Sequence, residues 1–452
     1  MSDVIVIEGA HVVTVDGTEH VDGHLVVETG RISAVGAGPA PQAPPGAERV
    51  DARGCLLTPG LVNAHHHLYQ WATQGLFSEG TLFAWLSGSY ELWGHLDAEM
   101  VAGTTSAGLA HLALSGCTTA SDHHYVYPPG SQDMVAAQVE AAREIGVRLD
   151  LARGSMDRGH SHGGLPPDSI VESVEGALSM TSEAIHTHHD PSPSSMTRLA
   201  VAPCSPFTVS QELMVESAAL ARDKGVRLHT HLAETVDEEE QCLAEFGCTP
   251  VEYAEELGWL GEDVWFAHAV HLSDEGIGRI AATSTGVAHC PTSNGRLGAG
   301  ICRVTELLDA GVRVGLGVDG PASSELTPLV GEMHQALLMA RARKGPQALG
   351  ARQALEMATL GGARLLGREA ELGSLTVGKL ADIALWRVDG FGHDVIDDPV
   401  VGLVLGGGAP LERLWVGGQG VVERGELRTL PVETASARGR AAHRKLLQEV
   451  NR

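Results

Sequence analysis

The chain has 452 residues, about three modal domain lengths, and 43% of them are hydrophobic, enough for two cores or one large barrel with additions. Its 57 acidic against 31 basic residues leave a formal charge of −26, which repels nucleic-acid phosphates and anionic membrane surfaces. Nucleic-acid binding by a basic face is thereby excluded, and the lack of any 18-residue apolar run excludes a spanning helix.

The first 56 residues read as short strands separated by turns. VIVIEGAHVVTV and HLVVETGRISAVGAG alternate apolar and polar residues, and APQAPPGAE is a loop. No basic stretch precedes the apolar N-terminus, which reads as a strand and not as a signal peptide. Seven scattered cysteines without a CxxC pair imply a reduced, cytoplasmic setting. The 56 glycines follow no repeat and imply many tight turns.

From Leu57 the texture changes to buried apolar runs separated by amphipathic stretches such as 212–225 and 304–312. Strands are expected at 57–65, 117–122, 147–154, 198–204, 226–231, 264–270, 286–290 and 312–319. Eight such strands with helices between them predict parallel pairing in a closed barrel. After a helical stretch over 351–367 the β texture returns in GSLTVGKLADIALWRV and LERLWVGGQGVVERGEL. The expected fold is therefore α/β: a (β/α)8 TIM-like barrel over 57–368, beside a small β-sandwich domain built from both chain ends, 1–56 and 369–433. The basic tail 434–452 is expected to form a terminal helix that docks on the surface or frays.

The 23 histidines cluster at strand ends. In PGLVNAHHHL, the period of 2 along a strand puts His65 and His67 on one face, where they can ligate one metal ion, and turns His66 away to pack. The fifth strand, LHTHLAET, supplies His231 on the same principle; His229 lies deeper, as a core partner. Glu234 follows that strand end, well placed to accept a proton from water and hand it to a leaving group. The sixth strand places His268 where it can reach the metal or hydrogen-bond its water, and leaves His271 structural. Asp319 ends the eighth strand in GLGVDG and can complete the ligand set. Mixed imidazole and carboxylate ligation suits Zn2+, with Fe2+ or Mn2+ as alternatives. HSHGG (160–164) and HTHHDPSPSS (186–195) read as loops, with a lid over the mouth as a second role. There is no H-x-E with P-C-x-x-C, no G-x-S-x-G, and no phosphate- or dinucleotide-binding glycine loop in context.

Together PGLVNAHHHLYQ, HLAET, FAHAVHL, GVAHCPTSN, GLGVDG and GSLTVGKLADI closely resemble the amidohydrolase superfamily, and within it the aminohydrolases that deaminate aromatic heterocycles. HHHLYQWATQG, LARGSMDRG, HDPSPSSM and VAPCSPFTVS are similar to the bacterial 8-oxoguanine deaminases, which make urate and ammonia. The resemblance implies one zinc on His65, His67, His231 and Asp319, proton transfer by Glu234, and polarisation of hydroxide or substrate by His268. It also implies a small heterocyclic substrate touching Gln70, with Arg153, Cys204 and Ser205 lining the pocket. Barrels of this kind often self-associate, so a homo-oligomer is expected. Isocytosine, isoxanthopterin, guanine and s-triazines (the last also by chloride displacement) are the neighbouring substrates, and a non-catalytic metal- or purine-binding paralogue is the remote one. Two loops depart from the family pattern. Ser323, Ser324 and Glu325 replace a Ser-Asn or Asn-Asp pair, and Thr292 and Gly295 replace a sulphur residue and a larger side chain, all expected at the mouth.

Overall fold

The structure is a computed structural model that describes residues 4–42, 44–130, 133–325, 328–406 and 408–450. Ala43 of the APQAPPGAE loop, Leu326 and Thr327 of the stretch after Asp319, and residues 451–452 of the expected C-terminal helix lie outside the described residues.

Alternation in the first segment produces β1 (Val4–Val13), β2 (Glu19–Glu28), β3 (Arg31–Ala37), β4 (Glu48–Asp51) and β5 (Cys55–Pro59). Eight parallel strands come next, each neighbouring the next in sequence: β6 (Leu61–Asn63), β7 (Cys117–His124), β8 (Arg148–Ser155), β9 (Thr197–Pro203), β10 (Arg227–Leu232), β11 (Val264–His268), β12 (Gly286–His289) and β13 (Arg313–Leu316). These strands are covered on both faces, which is why they read as continuous apolar runs instead of alternating ones. The chain end adds β14 (Ile383–Arg387), β15 (Leu411–Val416), β16 (Gln419–Glu423) and β17 (Glu426–Leu427).

β5 pairs antiparallel with β14 and parallel with β1, so the two chain ends share one nine-stranded ladder. The turn between β2 and β3 returns against the residues before β14: Ala381 N–H donates to the Gly30 carbonyl (2.9 Å) and Gly378 N–H to that of Ile32 (2.8 Å). The ladder thus folds over one core, to which Ile7, Leu25, Ile32, Leu57, Ile383 and Trp415 all contribute, giving the small sandwich its two layers. The expected strand at 57–65 is split. At Gly60 the chain changes partners, its N–H bonding the Asp382 carbonyl while the next N–H, of Leu61, bonds that of Gly116. The first half therefore belongs to the sandwich and only the second half to the barrel.

One seam of the barrel carries no ladder. Between β13 and β6 the closure includes Ala64 N–H to the Leu316 carbonyl (2.9 Å), Asp319 N–H to the His65 carbonyl (3.1 Å) and Val318 N–H to Asn63 Oδ1 (3.1 Å), with one isolated parallel bridge between His66 and Asp319. Three helices bear on the barrel mouth and its supports: α1 (Leu82–Trp93) over the mouth itself, α2 (Ala98–Leu114), and α3 (Val432–Val450). The C-terminal helix docks. Gly103 of α2 and Gly439 of α3 let the two helices touch, since a methyl group on either would come within 2.8 Å of the other helix. His443 Nδ1 bonds the Ala72 carbonyl at 2.7 Å, tying α3 to the turn just after the HHH motif.

Of the two histidine-rich segments, only the second differs from the expected loop, and only over its first residues. Residues 160–162 form a single tight turn, and His186 and His188 lie in the last turn of the helix Val174–His188, which Ser173 caps. The helix ends at His188, shortly before Pro191. Among the described residues no helix is long and apolar enough to cross a membrane.

Candidate active site

The backbone fixes which nitrogen each buried histidine presents. His229 Nδ1 faces the Trp265 carbonyl at 2.9 Å, and a carbonyl only accepts, so that nitrogen carries the proton. His229 Nε2 is then an acceptor, and His65 Nδ1, 2.8 Å away, donates to it. His67 Nδ1 donates to the His123 carbonyl (2.5 Å) and His231 Nδ1 to the Cys204 carbonyl (2.7 Å). Burial drives the His65 and His231 imidazoles well below their ordinary pKa, into the neutral form that ligates metals.

Three bare Nε2 lone pairs therefore converge at the barrel mouth. The His67 and His231 Nε2 atoms are 3.1 Å apart, and Asp319 Oδ1 lies 3.2 Å from His67 Nε2 and 3.3 Å from His65 Nε2. With no hydrogen between them, such lone pairs repel unless a cation sits among them. Tetrahedral ligands about 2.0–2.1 Å from one ion are roughly 3.3 Å from each other, so the spacing and the N3O donor set fit a divalent cation. His65 Nε2 is buried and has no hydrogen-bond partner within the protein, as a ligand atom should.

Asp319 is aimed by its other oxygen, Oδ2, which accepts the hydroxyls of Ser293 (2.5 Å) and Ser323 (2.9 Å). Glu234 is held from behind by its own N–H, which donates to Glu238 Oε2 (2.9 Å). Its Oε2 lies 3.7 Å from His268 Nε2, and His268 Nδ1 is 2.9 Å from Asn294 Oδ1. Burial, then the nearby Asp319 charge, pushes the Glu234 carboxyl up to about 8. Four non-glycine residues here have left-handed backbone: Ala233 (φ +53°), His268 (+71°), Ala269 (+48°) and Asp319 (+59°). Each is a strained turn costing on the order of 1–3 kcal/mol. They stop the strands so that these side chains turn into the mouth.

A narrow cavity opens over His67, His231, Glu234, His268 and Asp319. Leu82, Trp85, Leu86 and Tyr90 of α1, with Phe207 and Leu297, wall it, and Gln70, Tyr125 and Cys204 complete the lining. Trp85 Nε1, the Tyr90 hydroxyl and Gln70 Oε1 are buried there without partners. Gly320 makes room for Gln70, since a Cβ on it would sit 1.7 Å from Gln70 Oε1.

Not every expected pocket residue lines this wall. Arg153 turns away to a buried two-bond pair with Glu172 (2.7 and 2.9 Å) and lies over the Tyr127 ring. Ser205 bonds the Thr208 hydroxyl (2.9 Å) at the start of a turn. Cys204 does line the cavity, and its carbonyl also orients His231. The five departing residues support the site without lining the cavity. Ser323 holds Asp319, Ser324 bonds the Gly320 carbonyl, Glu325 pairs with Arg296, the Thr292 N–H donates to Glu332, and Gly295 faces Met339. His271 bonds the Ala299 carbonyl, a structural role. Sequence reasoning missed His123, Ser293, Asn294 and the α1 wall. Extending the second strand two residues, to HH, would have found the first.

His229→Phe keeps the stack on Trp265 (4.4 Å between centroids) but removes the acceptor that orients His65. Metal affinity is expected to fall about 10–100-fold with the fold intact, read by chelator competition; an unchanged affinity would deny His229 this role.

Residues 56–409 match the Amidohydrolase family. The chain belongs to that family. This amidohydrolase is 43% identical to the 8-oxoguanine deaminase of Pseudomonas aeruginosa over 428 residues, 94% of this chain and 95% of that protein. It is 37% identical to an isoxanthopterin deaminase from an unknown prokaryotic organism, covering 93% and 91% of the two chains. Among solved structures it superposes on the zinc complex of the atrazine chlorohydrolase TrzN from Arthrobacter aurescens TC1 with a TM-score of 0.92, at 33% identity over 97% of this chain and all of that one. The protein is accordingly an amidohydrolase-type enzyme for heterocycles, with a buried histidine-rich site for a divalent metal.

Proposed function

We propose that this amidohydrolase is a zinc-dependent deaminase that converts 8-oxoguanine and water to urate and ammonia, with His65, His67, His231 and Asp319 holding the ion. The observation that carries the reaction class is Glu234, a buried carboxyl 3.7 Å from His268 Nε2 that lines one cavity with His67, His231 and Asp319. When bound, the ion supplies Lewis acidity that brings the pKa of water toward neutrality. Glu234, as the carboxylate, accepts a proton from the attacking water and delivers it to a ring nitrogen as the C2–O bond forms; it then takes the proton of the new C2–OH and delivers it to the amine as the C2–N bond breaks and C2=O forms, which returns the carboxylate. His268, fixed by Asn294, keeps Glu234 and the reacting carbon in register. Ammonia must be protonated as it leaves and chloride need not be, so a buried carboxyl that can take up and return a proton favours amine loss.

The ring assignment rests on the 8-oxoguanine deaminase relative and on the wall. The cavity is narrow and walled by Leu82, Trp85, Leu86, Tyr90 and Phe207, which favours a flat ring over a bulkier nucleoside. The unpartnered Trp85 Nε1, Tyr90 hydroxyl and Gln70 Oε1 offer donors and an acceptor to the N–H and C=O groups of a flat ring. Ammonia release from 8-oxoguanine, guanine, isocytosine, isoxanthopterin and aminotriazines tests it. The highest kcat/KM is expected for 8-oxoguanine, with turnover lost to a chelator and restored by zinc. A faster alternative ring overturns the substrate, and silence on all of them overturns the deaminase.

A further inference from the structure

Glu234 and His268 come from different strands, the first from just beyond β10 and the second from the end of β11. Both chains turn there through left-handed residues, Ala233 on one side and His268 with Ala269 on the other. One carboxylate spans the first turn. Glu238 is 1% exposed; its Oε1 accepts the Ala233 N–H at 2.8 Å and its Oε2 the Glu234 N–H at 2.9 Å. The Ala233 carbonyl in turn accepts two amides of the second turn, those of Val270 and His271, both at 2.9 Å. The Ala269 N–H bonds the Leu232 carbonyl at 3.1 Å beside them. A hydrogen-bonded strap therefore runs from Glu238 through Ala233 to the residues just after His268.

The ordinary use of such a glutamate is different. Glu238 is the third residue of the helix Val236–Glu245, and Thr235 caps that helix by accepting the Glu238 N–H. In a capping box the glutamate at this position reaches back to the amide of the cap itself. Glu252 does so in the helix Pro250–Glu256, where it accepts the Thr249 N–H at 3.0 Å. Glu238 reaches past Thr235, by one residue with one oxygen and by two with the other. Its two bonds fix the peptide planes on either side of the Ala233 Cα, and so hold a left-handed turn that a residue with a side chain otherwise avoids.

We infer that Glu238 is a positioning residue for proton transfer: by clamping the amides of Ala233 and Glu234 it keeps the Glu234 carboxyl 3.7 Å from His268 Nε2. The inference rests on the proposed deaminase, in which Glu234 moves the protons. Glu238 does not line the cavity, so its effect on turnover passes through Glu234.

Glu238→Gln in the metal-loaded, full-length protein tests this. The side chain keeps its length, but one accepting oxygen becomes an NH2 group that opposes a backbone N–H. Ammonia release from the ring turned over fastest is expected to lose about 10- to 100-fold in kcat, with KM within about twofold and the metal content unchanged. Thr249→Ala supplies the comparison, since it breaks the true capping box in a helix that does not line the cavity; Tm is expected to fall and kcat to stay. A Glu238→Gln protein that lowers Tm with wild-type kcat, as a merely structural residue would, overturns the inference. So does one that loses metal and activity in parallel. Amide hydrogen exchange on the wild type gives a check that needs no variant. The Ala233 and Glu234 amides are expected to be protected, and exchange at the rate of an open loop overturns the clamp even if Glu238→Gln does not fold. A wild type that releases ammonia from no ring overturns the deaminase and this inference together, whereas wild-type turnover in Glu238→Gln overturns the inference alone.

Discussion

Glu234→Gln is expected to lower kcat for ammonia release by about 10²- to 10⁴-fold while the metal content stays at the wild-type level. The substitution preserves size and one hydrogen-bonding oxygen in a site that is already packed, so the fold should tolerate it. Removed is the ability to take and return a proton 3.7 Å from His268 Nε2. Glu234 is not among the groups that face one another across the donor set, so the ion should remain. Kinetics and elemental analysis on one preparation separate the two effects. Near-normal turnover would take Glu234 out of the chemistry, whereas parallel loss of metal and activity would make it a ligand.

A second large effect is expected where the barrel joins the sandwich. Arg148 on β8 makes two 2.9 Å bonds to Asp382, just before β14, and both side chains are buried. The same guanidinium donates to the Ser194 and Ser195 carbonyls, and Asp382 Oδ1 also accepts the Gly417 N–H at 2.7 Å. Arg148→Met strands a buried carboxylate and is expected to destabilise the protein by about 3–5 kcal/mol. Adding Asp382→Leu removes the stranded charge and should restore part of that loss, the Gly417 N–H remaining unpaired. Thermal denaturation of the two variants decides the matter. A single variant as stable as the wild type would show that the pair contributes nothing to this junction.

The barrel was legible because strands covered on both faces carry continuous apolar runs separated by amphipathic helical stretches. The donor set was legible for a related reason: period 2 at a strand end leaves little choice of face for His65 and His67, and Glu234 follows its strand directly. Gly60 was harder, since the chain changes partners there without a change in apolar texture, and only the position of Asp382 shows it. Arg153 sits at a strand end as expected, yet its direction is set by Glu172, whose place depends on the tertiary path of a loop. The α1 wall has the same character. Leu82, Trp85, Leu86 and Tyr90 have the spacing of any half-buried helix, and only packing over the mouth makes them a lining. His123 lay one residue past the expected strand end, and the strand continues through it.

The unladdered seam gives the site an unusual place in the chain's connectivity. Asn63 and the Val318 backbone meet across 255 residues of sequence, and the proposed ligands His65, His67 and Asp319 sit on the two lips of that joint. No contiguous fragment short of nearly the whole barrel can therefore contain the donor set. Closing so long a loop is entropically slow to be repaid, although the cost rises only gently with length. The centre thus becomes competent only after the last barrel strand has met the first, and a bound cation would report complete circular closure of the chain.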